Sequence, residues 1–297
     1  MKLINPSVEL ITQKPGLEGI YEQIERVGRV CYKSEDKITE DSAKPFVDRM
    51  IKSGHNAMLE HGTVYLAAYC DSEDSIFWKV ANSPYSKTVC NDRANMLYVT
   101  TNLRVIAELN AWEVIDKYLC KPTELHIKRI CLKFITSIGV SREFNRHRVA
   151  SIAEQSTRYC NYTKDKFNNE LTFIKPSWLN IPTGHYTYWD EDWCDVDKMK
   201  IQLPEGEHKD IDAFLWTLNN AEMEYTLLIN KGWRPQQARE VLPLSTATEV
   251  VYTAFEDDWE HFFDLRYRGT TGLPHPNAQQ VASMAHDLII KEIGKDL

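Results

Sequence analysis

Helical and strand-like apolar periodicities follow one another in this chain without a regular strand–helix–strand alternation, and that order most restricts its architecture. Leu17 to Cys31 places Ile20, Ile24, Val27 and Val30 at helical spacing, and Pro45 to Lys52 carries Phe46, Val47, Met50 and Ile51 in a second helical pattern. Both read as amphipathic surface helices. Thr63 to Tyr69, Leu97 to Ile106 and Ile127 to Ile135 are rich in β-branched and aromatic residues and predict strands, the last with Ile130, Leu132 and Phe134 on one side. Ala213 to Ile229 predicts a long helix stopped at Gly232, followed by a short helix with Pro235 in its first turn. Thr246 to Phe255 predicts another strand. Asp257 or Asp258 then caps a helix running through Tyr267, and Asn277 to Ile293 predicts a terminal amphipathic helix. Such an order fits an α+β fold, a mixed sheet flanked by long helices, better than a doubly wound parallel sheet.

Residues 1–297 read as a single domain, because proline and glycine, twelve each, are scattered and no repeat or low-complexity linker divides the chain. Asp71 to Thr123 and Leu179 to Asp210 stand apart as expected insertions, the second rich in acidic and aromatic residues (Tyr186, Tyr188, Trp189, Trp193). With 43% hydrophobic and 26% charged residues, the chain is neither disordered nor fibrous by composition. Its formal net charge of −8 suits a nucleic-acid binder poorly. The longest apolar stretch, Val64 to Cys70, falls far short of the roughly 20 residues that span a bilayer, and the N-terminus predicts no signal peptide. Seven cysteines without a Cys-x-x-Cys pair argue against a disulfide framework or a zinc ribbon. These features together predict a cytoplasmic protein with no metal centre, no nucleic-acid partner and no membrane partner.

Gly-x-Gly-x-x-Gly, Walker, His-Glu-x-x-His and Gly-x-Ser-x-Gly motifs are all absent, so a bound nucleotide would depend on side chains and helix ends. Arginines are concentrated in one place. Arg142, Arg146, His147, Arg148 and Arg158 are interleaved with Glu143, Ser151, Glu154, Gln155 and Ser156, a set of planar forks, hydroxyls and amides suited to phosphate and pyrimidine edges. Composition alone leaves a solvated helix with a Glu154–Arg158 pair equally open.

The run Arg146 to Tyr159, Arg-His-Arg followed by seven residues and then Ser156, resembles the signature of the flavin-dependent thymidylate synthases, the ThyX family. Glu154, Arg158 and Tyr159 agree with the same pattern. Gly54-His55-Asn56-Ala57-Met58-Leu59-Glu60-His61, Ala238-Arg239-Glu240-Val241-Leu242-Pro243 and Asp264-Leu265-Arg266 are similar to further family segments, in family order. This resemblance implies a ThyX-like fold and FAD as redox cofactor. It also implies reductive methylation of dUMP to dTMP, with 5,10-methylenetetrahydrofolate as carbon donor, NADPH as reductant and a homotetramer with shared active sites.

Carried over by position, Arg146, His147 and Arg148 are implied to contact FAD, with His55 beside the flavin and folate. His261 and Glu154 are implied as further cofactor contacts. Glu143, Arg146, Glu154, Gln155, Ser156 and Arg158 are the implied dUMP set, with Arg239 implied as the clamp on its phosphate. Arg266 is implied to bind the uracil ring and help ionise it, as an electrostatic stabiliser of charge on the N3/O2 edge. On a helix beginning near Asp258 it shares a face with Trp259, Phe262 and Phe263, and an arginine so placed needs a partner. Ser156 is read as positioning dUMP, and no cysteine nucleophile is expected. His61, as a lone histidine, reads as a hydrogen-bonded structural group. Phe255 stands where the family commonly has an asparagine near FAD, and Tyr267 to Pro276 is longer than usual. The alternatives are a related flavin and folate pyrimidine nucleotide methylase or hydroxymethylase, and a non-catalytic nucleotide-binding module.

Overall fold

The computed structural model describes residues 1–187, 198–200 and 210–294. The N-terminal part runs β1 (Lys2–Ile4), β2 (Ser7–Leu10), α1 (Gly16–Val30), α2 (Ala43–Lys52), β3 (Thr63–Tyr69), α3 (Ser75–Ala81), β4 (Lys87–Asn91), β5 (Met96–Asn102), α4 (Leu103–Glu108) and α5 (Trp112–Tyr118). Next come β6 (Arg129–Ser137), α6 (Ile138–Phe144), β7 (Ser151–Glu154), β8 (Thr172–Ile174), β9 (Gly184–Thr187) and β10 (Lys198–Lys200). The chain closes with α7 (Asp210–Asn230), α8 (Pro235–Ala238), β11 (Ala247–Phe255), α9 (Glu256–Phe263) and α10 (Pro276–Ile293).

Among the described residues these strands form three sheets, ordered β2-β6-β11-β7, β10-β9-β1-β8 and β3-β5-β4. The architecture is α+β. The first sheet is antiparallel at every pairing, whereas β1 runs parallel to β8 and antiparallel to β9, so the second is the mixed one. β11 is the spine of the first sheet, paired along its length with β6 from Ala247–Ser137 to Phe255–Arg129. Side chains alternate between the two faces of a strand. Val250, Tyr252 and Ala254 therefore enter one core with Ile130, Leu132, Phe134, Trp259, Phe262, Phe263 and the inner face of α10. Val251 and Cys131 point the other way, against Val27 and Val30 of α1.

That second face corrects the expectation of a surface helix at 17–31. α1 lies between two cores, because Ile20, Tyr21 and Ile24 pack into a third cluster with β3, β5 and α2 to α5. Its amphipathic stripe is real, but Val27 and Val30 extend burial around the helix, and periodicity cannot show how many layers a helix separates. The strand expected from Leu97 to Ile106 ends at Asn102, whose side chain accepts from the Val105 N–H at 3.3 Å and starts α4. Neither Asp257 nor Asp258 caps α9; Phe255 holds that position, and Asp257 forms an ion pair with Lys87. The six described cysteines are free, and Cys194, Tyr188, Trp189 and Trp193 lie outside the described residues. No described helix is long and apolar enough to cross a membrane.

Candidate functional site

The arginine-rich segment is a turn, a strand and a second turn. Ser137 starts α6, its Oγ accepting from the Val140 N–H at 3.2 Å, and α6 delivers Ser141, Arg142 and Glu143 in succession. After the turn at Asn145–Ala150 the chain enters β7, which pairs antiparallel with β11 so that Glu154 faces Val250. Gln155 leaves the strand with its N–H bonded to the Glu249 carbonyl at 2.8 Å, and the Ser156 N–H reaches the Cys31 carbonyl at 2.9 Å. Ser156 Oγ then accepts from the Arg158 N–H at 3.2 Å, closing a local turn. With β7 extended, Glu154 and Arg158 are not one helical turn apart, so the solvated-helix alternative does not describe this segment.

Where α6, the end of β7 and the α8 region meet, a cleft of 540 Å³ opens. Ser141, Arg142, Glu154, Gln155, Ser156, Arg158 and Arg239 line it, with Ile138, Leu242 and Leu244 supplying apolar wall. Three guanidiniums face two carboxylates, Glu154 and Glu240. Arg239 is held by donation from Nη1 to Thr157 Oγ1 at 3.2 Å and by Glu240 at 3.6 Å. Glu154 Oε1 accepts from Ser141 Oγ at 2.7 Å and from Thr248 Oγ1 at 3.1 Å. The arrangement suits a phosphorylated ligand that also carries hydrogen-bond donors.

A second cluster forms beside α6. α9 widens into a π-helical turn at Asp264–Arg268, which ends in a left-handed Gly269 (φ 70°). Trp259, Phe262 and Phe263 enter the core, while Arg266 is half-buried and finds the partners its setting requires. Its Nη2 donates to the Glu143 carbonyl at 2.8 Å, its Nε to His147 Nε2 at 3.3 Å, and Nη1 lies 3.6 Å from the Glu143 carboxylate. Burial first, then the charges of Arg266 and His261, push the His147 imidazole down to about 4. His147 is therefore neutral near pH 7 and accepts from Arg266 through Nε2. The His261 ring meets it edge-on at 5.9 Å.

The sequence-derived residues thus fall into separate groups. Glu154, Gln155, Ser156, Arg158 and Arg239 share the cleft; Glu143, His147, His261 and Arg266 share the second cluster. Arg146 and Arg148 are exposed on the intervening turn, and His55 is exposed just before the 3-10 turn Asn56–His61. His61 has no solvent exposure, with Nδ1 2.8 Å from Thr253 Oγ1. Desolvation, reinforced by the Arg129 guanidinium, pushes it down to about 3. Ser141, Thr157 and Thr248 escaped the sequence reading. Thr248 reaches Glu154 only because it lies two residues along β11 from Val250, on the same face of the sheet. Among the described residues no cluster of histidine, cysteine and acidic side chains is arranged to hold a metal.

A family model described as thymidylate synthase complementing protein (Thy1) matches residues 121–293. A flavin-dependent thymidylate synthase of Pyrococcus furiosus is 30% identical over 121 residues, covering 41% of this chain and 38% of that protein. Another from Haloarcula marismortui is 29% identical over 133 residues, 43% of this chain and 51% of the relative. A probable flavin-dependent thymidylate synthase of Paramecium bursaria Chlorella virus 1 is 24% identical over 166 residues, 54% and 66% respectively. The chain therefore spans between 38% and 66% of the length of these curated relatives. Among solved structures, the UMP/dUMP methylase PolB from Streptomyces cacaoi bound with 5-Br dUMP aligns at 16% identity and a TM-score of 0.43, over 98% of this chain and 93% of that one.

Proposed function

The chain belongs to the thymidylate synthase complementing protein family, and from that premise we propose that it is a flavin-dependent thymidylate synthase. It converts dUMP to dTMP in dTMP biosynthesis, taking the carbon from 5,10-methylenetetrahydrofolate and the reducing equivalents from NADPH through FAD. The observation that carries this reading is the cleft in which Arg142, Arg158 and Arg239 converge with Glu154 and Ser156. Guanidinium forks match phosphate oxygens in pairs, a hydroxyl can donate a further bond, and a carboxylate accepts from a sugar hydroxyl or a ring N–H. One uridine monophosphate supplies complementary groups for all of them.

Arg266 lies outside the cleft lining of its own chain, which agrees with a homotetramer whose sites are shared between copies. Bonds to the Glu143 carbonyl and His147 occupy two of its five N–H donors and fix the fork. Its Nη1 lies 3.6 Å from the Glu143 carboxylate, and the role assigned to the guanidinium in this reading is to stabilise negative charge on the N3/O2 edge of uracil, which enriches C5 in electron density. Ser156, whose Oγ is engaged by the Arg158 N–H, orients the nucleotide.

The residues present fit a flavin dinucleotide in one respect and depart in another. Arg146 and Arg148, exposed on one turn, suit a pyrophosphate, and exposed His55 and His261 suit ring contacts. His147 faces Arg266 instead, and Phe255 is buried with the Arg129 guanidinium 5.5 Å from its ring. We therefore assign flavin binding to Arg146, Arg148, His55 and His261, and to His147 a supporting role beneath Arg266. When bound, FAD supplies the two electrons that reduce the transferred methylene. Residues 1–297 act as one domain in this reading, with 71–123 and 179–210 as additions to the family core, in a cytoplasmic setting.

The decisive experiment is the visible spectrum of the purified protein, followed by NADPH addition in the presence of dUMP and analysis of the nucleotide product with methylenetetrahydrofolate. A yellow protein that bleaches and forms dTMP supports the proposal. A hydroxymethylated product or turnover of another pyrimidine nucleotide would replace it with a related methylase. A protein that takes up no flavin and shows only salt-sensitive phosphate binding would leave a binding module.

A further inference from the structure

Resting on the nucleotide reading of the cleft, we infer that Ser141 and Thr248 are positioning residues that clamp the Glu154 carboxylate, leaving one of its oxygens for a hydrogen-bond donor on the nucleoside part of dUMP. Glu154 closes β7 at the cleft wall. Both clamping hydroxyls converge on one oxygen, Oε1, at 2.7 Å from Ser141 and 3.1 Å from Thr248. The three side chains come from three elements: Ser141 from α6 and Glu154 from the nearby β7, with Thr248 brought in from β11, ninety-four residues further along the chain. Both hydroxyl residues are buried, so each depends on a protein acceptor. Ser141 Oγ also lies 3.1 Å from the Ile138 carbonyl. A hydroxyl has one proton, and the shorter contact to the carboxylate claims it.

Among the described residues no protein donor meets Oε2, and this oxygen is not one of the buried side-chain atoms left without a partner. Glu154 lines the cleft, and the cleft is where this oxygen can meet a ligand. Phosphate oxygens at neutral pH are acceptors and would be repelled by it, so the phosphate belongs with Arg142, Arg158 and Arg239. What remains for Oε2 is an O–H of the sugar or an N–H of the ring. A free glutamate samples several rotamers and loses that freedom when it binds. Two hydroxyls that fix Oε1 beforehand remove much of this loss, so their effect is felt when the nucleotide binds.

The test uses the flavin-loaded protein and dUMP itself. Thr248→Val keeps shape and removes one donor; Ser141→Ala removes the other; Thr248→Ser and Ser141→Thr retain the hydroxyls. Calorimetric dUMP affinity and the KM and kcat of dTMP formation are measured for each, with thermal unfolding to establish that the fold is kept. Each hydroxyl-deleting variant is expected to bind dUMP about 3- to 10-fold more weakly, the range of one lost hydrogen bond. KM should rise in parallel while kcat stays within about twofold, and Thr248→Ser should restore affinity. If Ser141→Ala fails to fold, Thr248→Val alone decides. Unchanged dUMP affinity in the folded variants, or a fall in kcat with KM untouched, overturns the clamp and leaves the thymidylate synthase reading standing. Failure of the unsubstituted protein to bind dUMP overturns both.

Discussion

Replacing His61 by asparagine should flatten the acid side of the stability profile. His61 is sealed beneath the sheet with its Nδ1 on Thr253 Oγ1, close to the positive charge of Arg129. In the unfolded chain an imidazole takes up its proton near pH 6.5, whereas in the fold it does so only at about 3. Between those values the unfolded state binds more protons, so stability is complete above the upper one and falls as pH is lowered towards the lower one. At about pH 5 the loss from this single group amounts to roughly 2 kcal/mol, while at about pH 7.5 it is close to zero. His61→Asn places a neutral amide within reach of Thr253 but carries no titrating group. Its smaller volume costs stability equally at both pH values, and the depressed imidazole of His147 contributes equally to both proteins. Both effects cancel in the difference. Urea unfolding followed by tryptophan fluorescence, at the two pH values for both proteins, gives that difference directly. The variant should lose about 2 kcal/mol less than the unsubstituted protein between neutral and acid pH. Equal losses would refute the burial and charge argument for His61.

Three further outcomes follow from the geometry. Arg266→Ala should retain flavin, measured by absorbance, yet lose about 10²–10³ in turnover, and full turnover would remove the electrostatic role proposed for it. Arg239→Ala should raise the KM for dUMP about 10- to 100-fold through loss of a charge-assisted contact, while affinity for uridine, which has no phosphate, should hardly move. At Gly62 an added Cβ would sit 2.6 Å from Ile24 Cδ1 and 2.8 Å from Ile20 Cγ2, so Gly62→Ala should destabilise by about 1–3 kcal/mol in denaturant unfolding. The φ of −84° at Gly62 is ordinary for any residue, so this cost reports crowding between α1 and the turn it packs against and not backbone strain.

His147 and Arg266 illustrate how a local rearrangement separates chemistry that the chain order groups together. Arg146, His147 and Arg148 are consecutive, and the resemblance assigns all three to one cofactor. The turn after α6 leaves the two arginines exposed and sends the histidine inward, where Phe262 packs at 4.9 Å and Arg266 becomes its hydrogen-bond donor. The π-helical turn at 264–268 makes the meeting possible by inserting a wider turn before Gly269, a change in residues per turn that a regular 3.6 period does not anticipate.

The strand runs at 63–69, 127–135 and 246–255 and the helical patterns at 17–31, 213–229 and 277–293 were legible because alternation and helical periodicity are properties of neighbouring residues. The arginine-rich signature was legible for the same reason, being contiguous in the chain. Asn102 ended a strand that composition would have continued, since one side-chain cap outweighs several β-branched neighbours. The burial of α1 on two sides and the meeting of Ser141, Glu154 and Thr248 belong to the tertiary structure alone, whereas the resemblance had already assigned Arg158 and Arg239 to one nucleotide. The Glu154–Thr248 contact depends on the register of β7 against β11, and the burial of α1 on which elements cover its two sides. Those choices are made by contacts between residues far apart in the chain, where no local pattern carries the information.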